Sequence, residues 1–267
     1  MVYNCKIIEY DDYIHIQHYD VPISRIDYPK QEQEKIDTFN DEAIKNDLQI
    51  PQEIDPDPEK QKHNLSVSVN RSKNNMFRIA RSNNWDMFAT FTFDRTITDS
   101  SDYNLVSKRI TTFFNNIRKN HCPDLKYLVV PELHKDKEHY HFHALISNAD
   151  NLELKDSGKY DSLGSKIFNI KNWKWGFSTL VFIQDQARVK NYIGKYITKD
   201  LMNKLKYKKR YYCSQNVEIK KEEFGHTTLD HLIECYGDNI SFIKTVTVNG
   251  INRIHYLEIK KTIDKIN

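Results

Sequence analysis

The stretch that most constrains this chain is Lys126 to Ser147, KYLVVPELHKDKEHYHFHALIS. It reads as two short strands joined by a polar turn. Tyr127-Leu128-Val129-Val130 is apolar and β-branched, Lys135-Asp136-Lys137-Glu138 is the turn, and Tyr140 to Ile146 is the second strand. His141 and His143 stand two apart with Phe142 between them. Side chains alternate across a strand, so both imidazoles share one face while Phe142 enters the other. With Glu132 on the neighbouring strand they can form half of a divalent-metal site. A solvated strand with polar alternation gives the same spacing, so this stretch constrains the fold before it constrains the chemistry.

A second stretch adds chemistry. It is Asn191-Tyr192-Ile193-Gly194-Lys195-Tyr196-Ile197-Thr198-Lys199. Tyr192 and Tyr196 are four apart, one helical turn along the same face, with Lys195 beside them and Lys199 continuing the flank. A paired-histidine strand followed by a Tyr-x-x-Lys helix resembles the HUH endonucleases, and in full pattern their rolling-circle replication initiators (Rep) from phages and plasmids. Three motifs match in order. Phe88-Ala89-Thr90-Phe91-Thr92-Phe93-Asp94 resembles the first, Glu132 through His141-Phe142-His143 the second, and Tyr192 through Lys199 the third. The resemblance spans roughly residues 70 to 215, where Tyr211-Tyr212-Cys213-Ser214 also resembles a short tail motif of phage-type initiators.

The resemblance implies an α+β fold: an HUH endonuclease-like domain with a central antiparallel five-stranded sheet and helices packed on it. It implies a metal held by His141, His143 and Glu132, with His134 and His139 as rivals for the third position. Imidazole tolerates Mn²⁺ well whereas Mg²⁺ prefers oxygen, and in the family either ion serves. Tyr192 becomes the nucleophile, Tyr196 a second one, and Lys195 the residue that steers the phosphate. Thr90 and Thr92 would help hold DNA beside the site. The implied reaction nicks single-stranded origin DNA, including a hairpin origin. It keeps the 5′ end as a phosphotyrosine and leaves a 3′-OH for a host polymerase, with a host helicase as a further partner. A tyrosine that follows the histidines separates the chain from the usual relaxase order. A transposase of the group, or a silent DNA-binding protein of the same fold, stays open.

The rest of the chain agrees with a DNA-binding role. Its 267 residues suffice for a full core, and 16 Tyr and 13 Phe against 7 Gly and 7 Pro argue for an ordered chain. No apolar run approaches the ~20 residues that cross a bilayer. The start lacks the apolar core of a signal peptide, and the dispersed Cys5, Cys122, Cys213 and Cys235 read as reduced thiols of a cytoplasmic protein. Net charge is +3 and decides little, but its distribution matters. Gln186 to Arg210 carries nine Lys or Arg against the single acid Asp200. Tyr207, Tyr211 and Tyr212 interleave with that charge, which suits single-stranded DNA. Lys199, Lys206, Lys208 and Lys209 are the phosphate contacts expected there, and Arg71 and Arg78 those of a short basic helix over Asn70 to Asn83.

Three parts are expected along the chain. Residues 1–69 form a hairpin turning at Asp11-Asp12 and then an acidic linker, with ten acids against three lysines between Gln31 and Lys60. Residues 70–215 form the endonuclease-like domain. There Ser100 or Ser101 caps a helix over Ser101 to Asn120, Asn151 to Asn172 is a loop, Gly176 marks a bulge or turn, and Gln186 to Asn203 is the tyrosine helix. Residues 216–267 form a β-rich extension with a hairpin around Asn249-Gly250. No GxxxxGK[ST] occurs, so no P-loop helicase is attached.

Overall fold

The computed structural model describes residues 1–24, 58–196, 201, 204–205, 208–248, 250 and 252–261. The side chains of residues 58–63, 187, 191, 192 and 194 lie outside the description. The acidic stretch expected as a linker falls almost wholly outside the described residues, as do Ile197 to Asp200, Lys206 and Tyr207. The protein is α+β with antiparallel sheets of five and seven strands. The chain divides into two compact units, residues 1–61 with 220–267, and residues 62–219.

The first unit is built from the two ends of the chain. β1 (Val2–Glu9) and β2 (Tyr13–Ser24) form the expected hairpin, closed by Tyr10 N–H to Tyr13 O at 2.9 Å. β10 (Glu222–Gly225), β11 (Ile240–Val248) and β12 (Asn252–Lys260) complete a sheet in the order β10-β1-β2-β12-β11. Gly250 has φ +72°, the left-handed conformation that a tight hairpin requires. Cys5, Ile16, Leu232, Leu257 and Ile259 form this unit's small core.

The second unit carries both motif stretches. It begins within a long helix, α1 (Pro58–Ser82), where a short basic helix and a preceding linker were expected. Pro58 explains the early start: proline suits the first helical position, where its missing N–H would be unbonded anyway. The expected division at 69/70 therefore lies inside α1. The strands are β3 (Met87–Phe93), β4 (Lys126–Leu133), β5 (Tyr140–Ser147), β6 (Leu154–Tyr160), β7 (Lys166–Ile170), β8 (Gly176–Phe182) and β9 (Tyr212–Cys213). Their order is β6-β7-β8-β3-β5-β4-β9. The sheet of this unit thus has seven strands, not the expected five. Two of the seven, β6 and β7, come from Asn151 to Asn172, which folds as a hairpin instead of a loop. Ser157 Oγ bonding Ile167 O at 2.6 Å and Asp161 accepting the Leu163 and Ser165 amides at 2.8 Å stabilise it.

α2 (Tyr103–Asn120) covers one face of this sheet. Its N-cap is Asp102, which accepts from the Asn104 and Leu105 amides, while Asp99 binds Ser101. The expected serine cap is thus displaced by an aspartate, which accepts two amides where a serine usually serves one. Tyr103, Val106, Ile110, Phe113, Phe114 and Ile117 are buried, and Leu105 is only half-buried. Phe91 of β3 meets Phe113, Phe114 and Trp173 at centroid distances of 5.2, 5.7 and 4.9 Å. Each such ring contributes about 1.5–3 kcal/mol on burial. Gly176 opens β8 at φ +149°, so close to β3 that a Cβ there would stand 2.3 Å from Thr92 O and 2.4 Å from Asp94 N.

Candidate metal centre

Strand alternation sorts β3 into two sets. Met87, Ala89, Phe91 and Phe93 are buried, while Phe88, Thr90 and Thr92 are half-buried on the opposite face. The register carries that second face across the sheet. Thr92 pairs with His141, which pairs with Glu132; Thr90 pairs with His143, which pairs with Val130. His141, His143 and Glu132 therefore stand together on that face.

Their ligand atoms converge. Glu132 Oε2 lies 2.6 Å from His141 Nε2 and 2.7 Å from His143 Nε2, and the two imidazole nitrogens are 3.0 Å apart. This group could hold a metal ion. Burial pushes the Glu132 carboxyl up, but the hydrogen bonds from His141 and His143 outweigh it and leave the group lowered to about 2. Burial holds His143 below the ordinary histidine value, against the opposing pull of Glu132. An ionised carboxylate and a neutral imidazole are the forms that bind a metal. Thr90 Oγ1 lies 3.1 Å from His143 Nδ1, on the ring nitrogen away from the cluster. A partner there holds the ring in place, with Nε2 turned toward the cluster. Two imidazoles and a carboxylate thus fit a divalent transition metal in chemistry.

The rivals for the third position sit differently. His139 Nδ1 is engaged by Asp136 Oδ2 at 2.9 Å within the turn. His134 places its ring edge-on to His141, 4.5 Å between centroids, and burial lowers its pKa. Neither contributes to the converging group, which is formed by Glu132 with the two histidines.

The tyrosine segment approaches this face. α3 (Gln186–Tyr192) is capped by Asp185 on the Arg188 amide at 2.9 Å. It is anchored by Gln186 Oε1 to the Trp85 amide at 3.0 Å and by the buried Lys190 to Asn84 Oδ1 at 3.1 Å. The helix then tightens into a 3₁₀ turn, Ile193–Tyr196. A continuous helix over Gln186 to Asn203 was expected. Gly194, a poor α-helix former, sits where the geometry changes. Ile193 and Tyr196 are buried, and Lys195 is exposed. The Tyr196 ring stacks on His143 at 3.6 Å and 14°, and Phe88 lies 5.6 Å from His143 and 6.2 Å from Tyr196, all three near-parallel. Tyr196 thus meets a candidate ligand directly. The Tyr192 side chain, Lys199 and Lys206 lie outside the described residues.

The tail motif becomes β9, which covers β4 by pairing Tyr212 with Val129 and Cys213 with Leu128. Lys208 and Lys209 are exposed, with Nζ atoms over the rings of Tyr103 and Tyr212 at 5.5 and 5.4 Å. Arg210 is buried instead, its Nη1 bonding Ser68 Oγ at 2.9 Å and Ser72 Oγ at 3.1 Å on α1. Arg71 is exposed on α1, and Arg78 half-buried.

With this geometry in view, comparison adds one finding. Residues 86–201 match the family model of replication-associated protein ORF2. The matched region covers less than half of the chain, running from just before β3 to Leu201, and includes both the histidine cluster and the tyrosine segment. It supports a role in replication. No curated protein and no solved structure matches the chain. No helix among the described residues is long and apolar enough to cross a membrane.

Proposed function

We propose that this protein is a rolling-circle replication initiator of the HUH type that nicks single-stranded origin DNA by tyrosine transesterification. The observation that carries the reading is the convergence of Glu132, His141 and His143 on one sheet face, with Tyr196 stacked on His143, inside the region that matches a replication-associated family. Mn²⁺ or Mg²⁺ bound by the three residues would draw charge from the scissile phosphate. Tyr192, at the head of the Tyr-x-x-Lys match, is the nucleophile. A free tyrosine hydroxyl has a pKa of about 10 and must lose its proton as it attacks. Its oxygen bonds to phosphorus, the 3′ oxygen departs and takes up a proton, and the 5′ end stays on the tyrosine. Lys195, exposed one turn from Tyr192's end of the segment, neutralises the phosphate. Tyr196 orients His143 through its ring face and serves as the second tyrosine when the strand is rejoined. The 3′-OH primes a host polymerase behind a host helicase, in the host cytoplasm.

The test is the covalent adduct. Full-length protein with Mn²⁺ and a single-stranded hairpin-origin oligonucleotide should give a species that survives denaturation and is destroyed by protease. Tyr192→Phe should remove it, since Phe keeps the ring and loses only the hydroxyl. Tyr196→Phe should still form it, and should fail at transfer to a second origin. Mass spectrometry of the nucleotide-bearing peptide reads the site. Nucleotide found only on Tyr196 would reverse the order of the tyrosines. No adduct from folded, metal-loaded, DNA-binding protein would replace this reading with that of a silent DNA-binding protein.

A further inference from the structure

A second group of ligand-type side chains lies in the unit formed by the chain ends, outside the region matched by the replication-associated family. It comprises His18 and Asp20 on β2 and His255 on β12. His18 and Asp20 are two apart on one strand, and His255 is the direct cross-strand partner of His18. One ligand atom from each lies within 4.8 Å of the others. His18 and His255 are buried, at 4% and 5% exposure, while Asp20 is exposed.

The hydrogen bonds fix which nitrogen of His18 is free to bind. His18 Nε2 lies 3.1 Å from the Thr227 carbonyl oxygen. A carbonyl only accepts, so this nitrogen carries the proton, and Nδ1 keeps its lone pair. That Nδ1 is buried and without a hydrogen-bond partner among the described residues. An acceptor buried without a partner is costly unless something fills it. His255 Nδ1 meets Thr245 Oγ1 at 2.9 Å, and its Nε2 meets Asp20 Oδ1 at 2.8 Å. The other Asp20 oxygen, Oδ2, is held by Arg253 Nε at 2.7 Å. Each candidate ligand is therefore held on its far side, by a backbone carbonyl, a hydroxyl or a guanidinium. Such outer partners orient metal-binding groups.

We propose that His18, Asp20 and His255 bind a divalent transition-metal ion, with Zn²⁺ the expected occupant, and that the ion ties together the two ends of the chain. Two imidazoles and one carboxylate suit Zn²⁺, whose bonds to nitrogen and oxygen are about 2.0–2.2 Å. Three protein ligands leave a fourth position for water. The ion would displace to solvent the proton that His255 Nε2 shares with Asp20, take both as ligands, and fill the unpartnered face of His18. Its ligands are separated by up to 237 residues, and β2 and β12 are neighbours in the middle of the five-stranded sheet. Binding would thus stabilise the assembly of segments that reach the sheet from opposite ends of the chain.

The experiment uses the full chain with His141→Ala and His143→Ala, which removes the first cluster. Zinc retained after equilibrium dialysis is counted by elemental analysis, and Co²⁺ is substituted to read the ligands by absorption. One ion per chain is expected, together with a rise in melting temperature on adding Zn²⁺. Asp20→Ala in the same background should weaken binding at least ~10-fold. Asp20 is exposed, so this change tests the site without opening the core. His255→Gln should remove the Co²⁺ absorption. Absence of retained zinc from protein with an intact circular dichroism spectrum would overturn the proposal. So would zinc binding that Asp20→Ala leaves unchanged. Because the first cluster is already deleted, neither result depends on whether the protein cleaves DNA.

Discussion

In β5, His141 and His143 stand two residues apart, and Glu132 faces His141 from β4. In β2, His18 and Asp20 stand two residues apart, and His255 faces His18 from β12. Even the outer partners correspond. Thr90 is paired across the sheet with His143 and meets its Nδ1, as Thr245 is paired with His255 and meets its Nδ1. The strand geometry of both clusters follows from side-chain alternation and antiparallel pairing alone. What differs is the route by which each is assembled. Glu132 and His141 are 9 residues apart, joined by one turn, whereas Asp20 and His255 are 235 apart. Before the intervening chain folds, closing the longer loop costs about 3 kcal/mol more. The first cluster also has an aromatic cover in Tyr196 and Phe88. A pair of threonines and a strand register can thus build a ligand set anywhere in a sheet; the tyrosine segment makes one of them a candidate for chemistry.

The largest effect should come from deleting the first cluster. His141→Ala with His143→Ala should abolish nicking while single-stranded DNA binding persists, because basic residues elsewhere carry much of it. Full nicking by this protein in chelator would break the functional contrast between the two clusters. Among single changes, Glu132→Ala should lower Mn²⁺ affinity more than His134→Ala or His139→Ala. A calorimetric titration in which Glu132→Ala binds like wild type would hand the third position to a histidine.

Next in size is Gly176→Ala. A Cβ would meet Thr92 O at 2.3 Å and Asp94 N at 2.4 Å, both backbone atoms that cannot swing aside. At φ +149° the residue is also strained for any L side chain. Together these should cost about 2–4 kcal/mol, read by urea denaturation. Since β3 supplies Thr90 and Thr92 beside the first cluster, Mn²⁺ affinity there should fall as well. Unchanged stability would mean that β8 moves freely past β3, and that the first cluster does not depend on their close pairing.

A finer test exchanges the matched threonines. Thr90→Val and Thr245→Val each remove a hydroxyl beside a histidine Nδ1 with little change in volume. Each should weaken metal binding at its own cluster by about 10–100-fold. Zinc or manganese titrations of the two proteins would separate the effects. Equal loss at both clusters from either change would show that the two are not independent.

The contrast in loop length also explains what the sequence disclosed. The hairpin over Lys126 to Ser147 was legible because its strands, turn and histidines are contiguous, and alternation alone puts His141 and His143 on one face. The His18–Asp20–His255 group was not, because nothing local shows that β2 will lie beside β12. The early start of α1 was missed for another reason: acidic, proline-punctuated sequence resembles a linker, yet Pro58 suits a helix start. The hairpin of β6 and β7 was hidden by polar residues, which an edge hairpin exposed to solvent tolerates. In the tyrosine segment the periodicity predicted one continuous helix, and the shift to a 3₁₀ turn at Ile193 was invisible to it. That Tyr196 stacks on His143 depends on tertiary packing between elements some fifty residues apart.

The smallest effect concerns charge in the second unit. Lys208 and Lys209 are exposed and lie over Tyr103 and Tyr212, so each offers either a phosphate contact or only a cation–π contact at the sheet edge. The two roles respond differently to salt. A phosphate contact releases counterions from single-stranded DNA, and each neutralised phosphate adds about 0.7 to the slope of log affinity against log salt. Replacing both lysines with alanine should therefore flatten that slope by about 1.4 and weaken binding similarly for every sequence. Including Lys206→Ala should flatten it by about 0.7 more. A cation–π contact within the protein would instead cost a little stability and leave the slope where it was. Salt titrations of oligonucleotide binding, run beside a melting curve, distinguish the two. An unchanged slope with a lowered melting point would assign these lysines to the tyrosines and leave DNA contact to the rest of the basic segment.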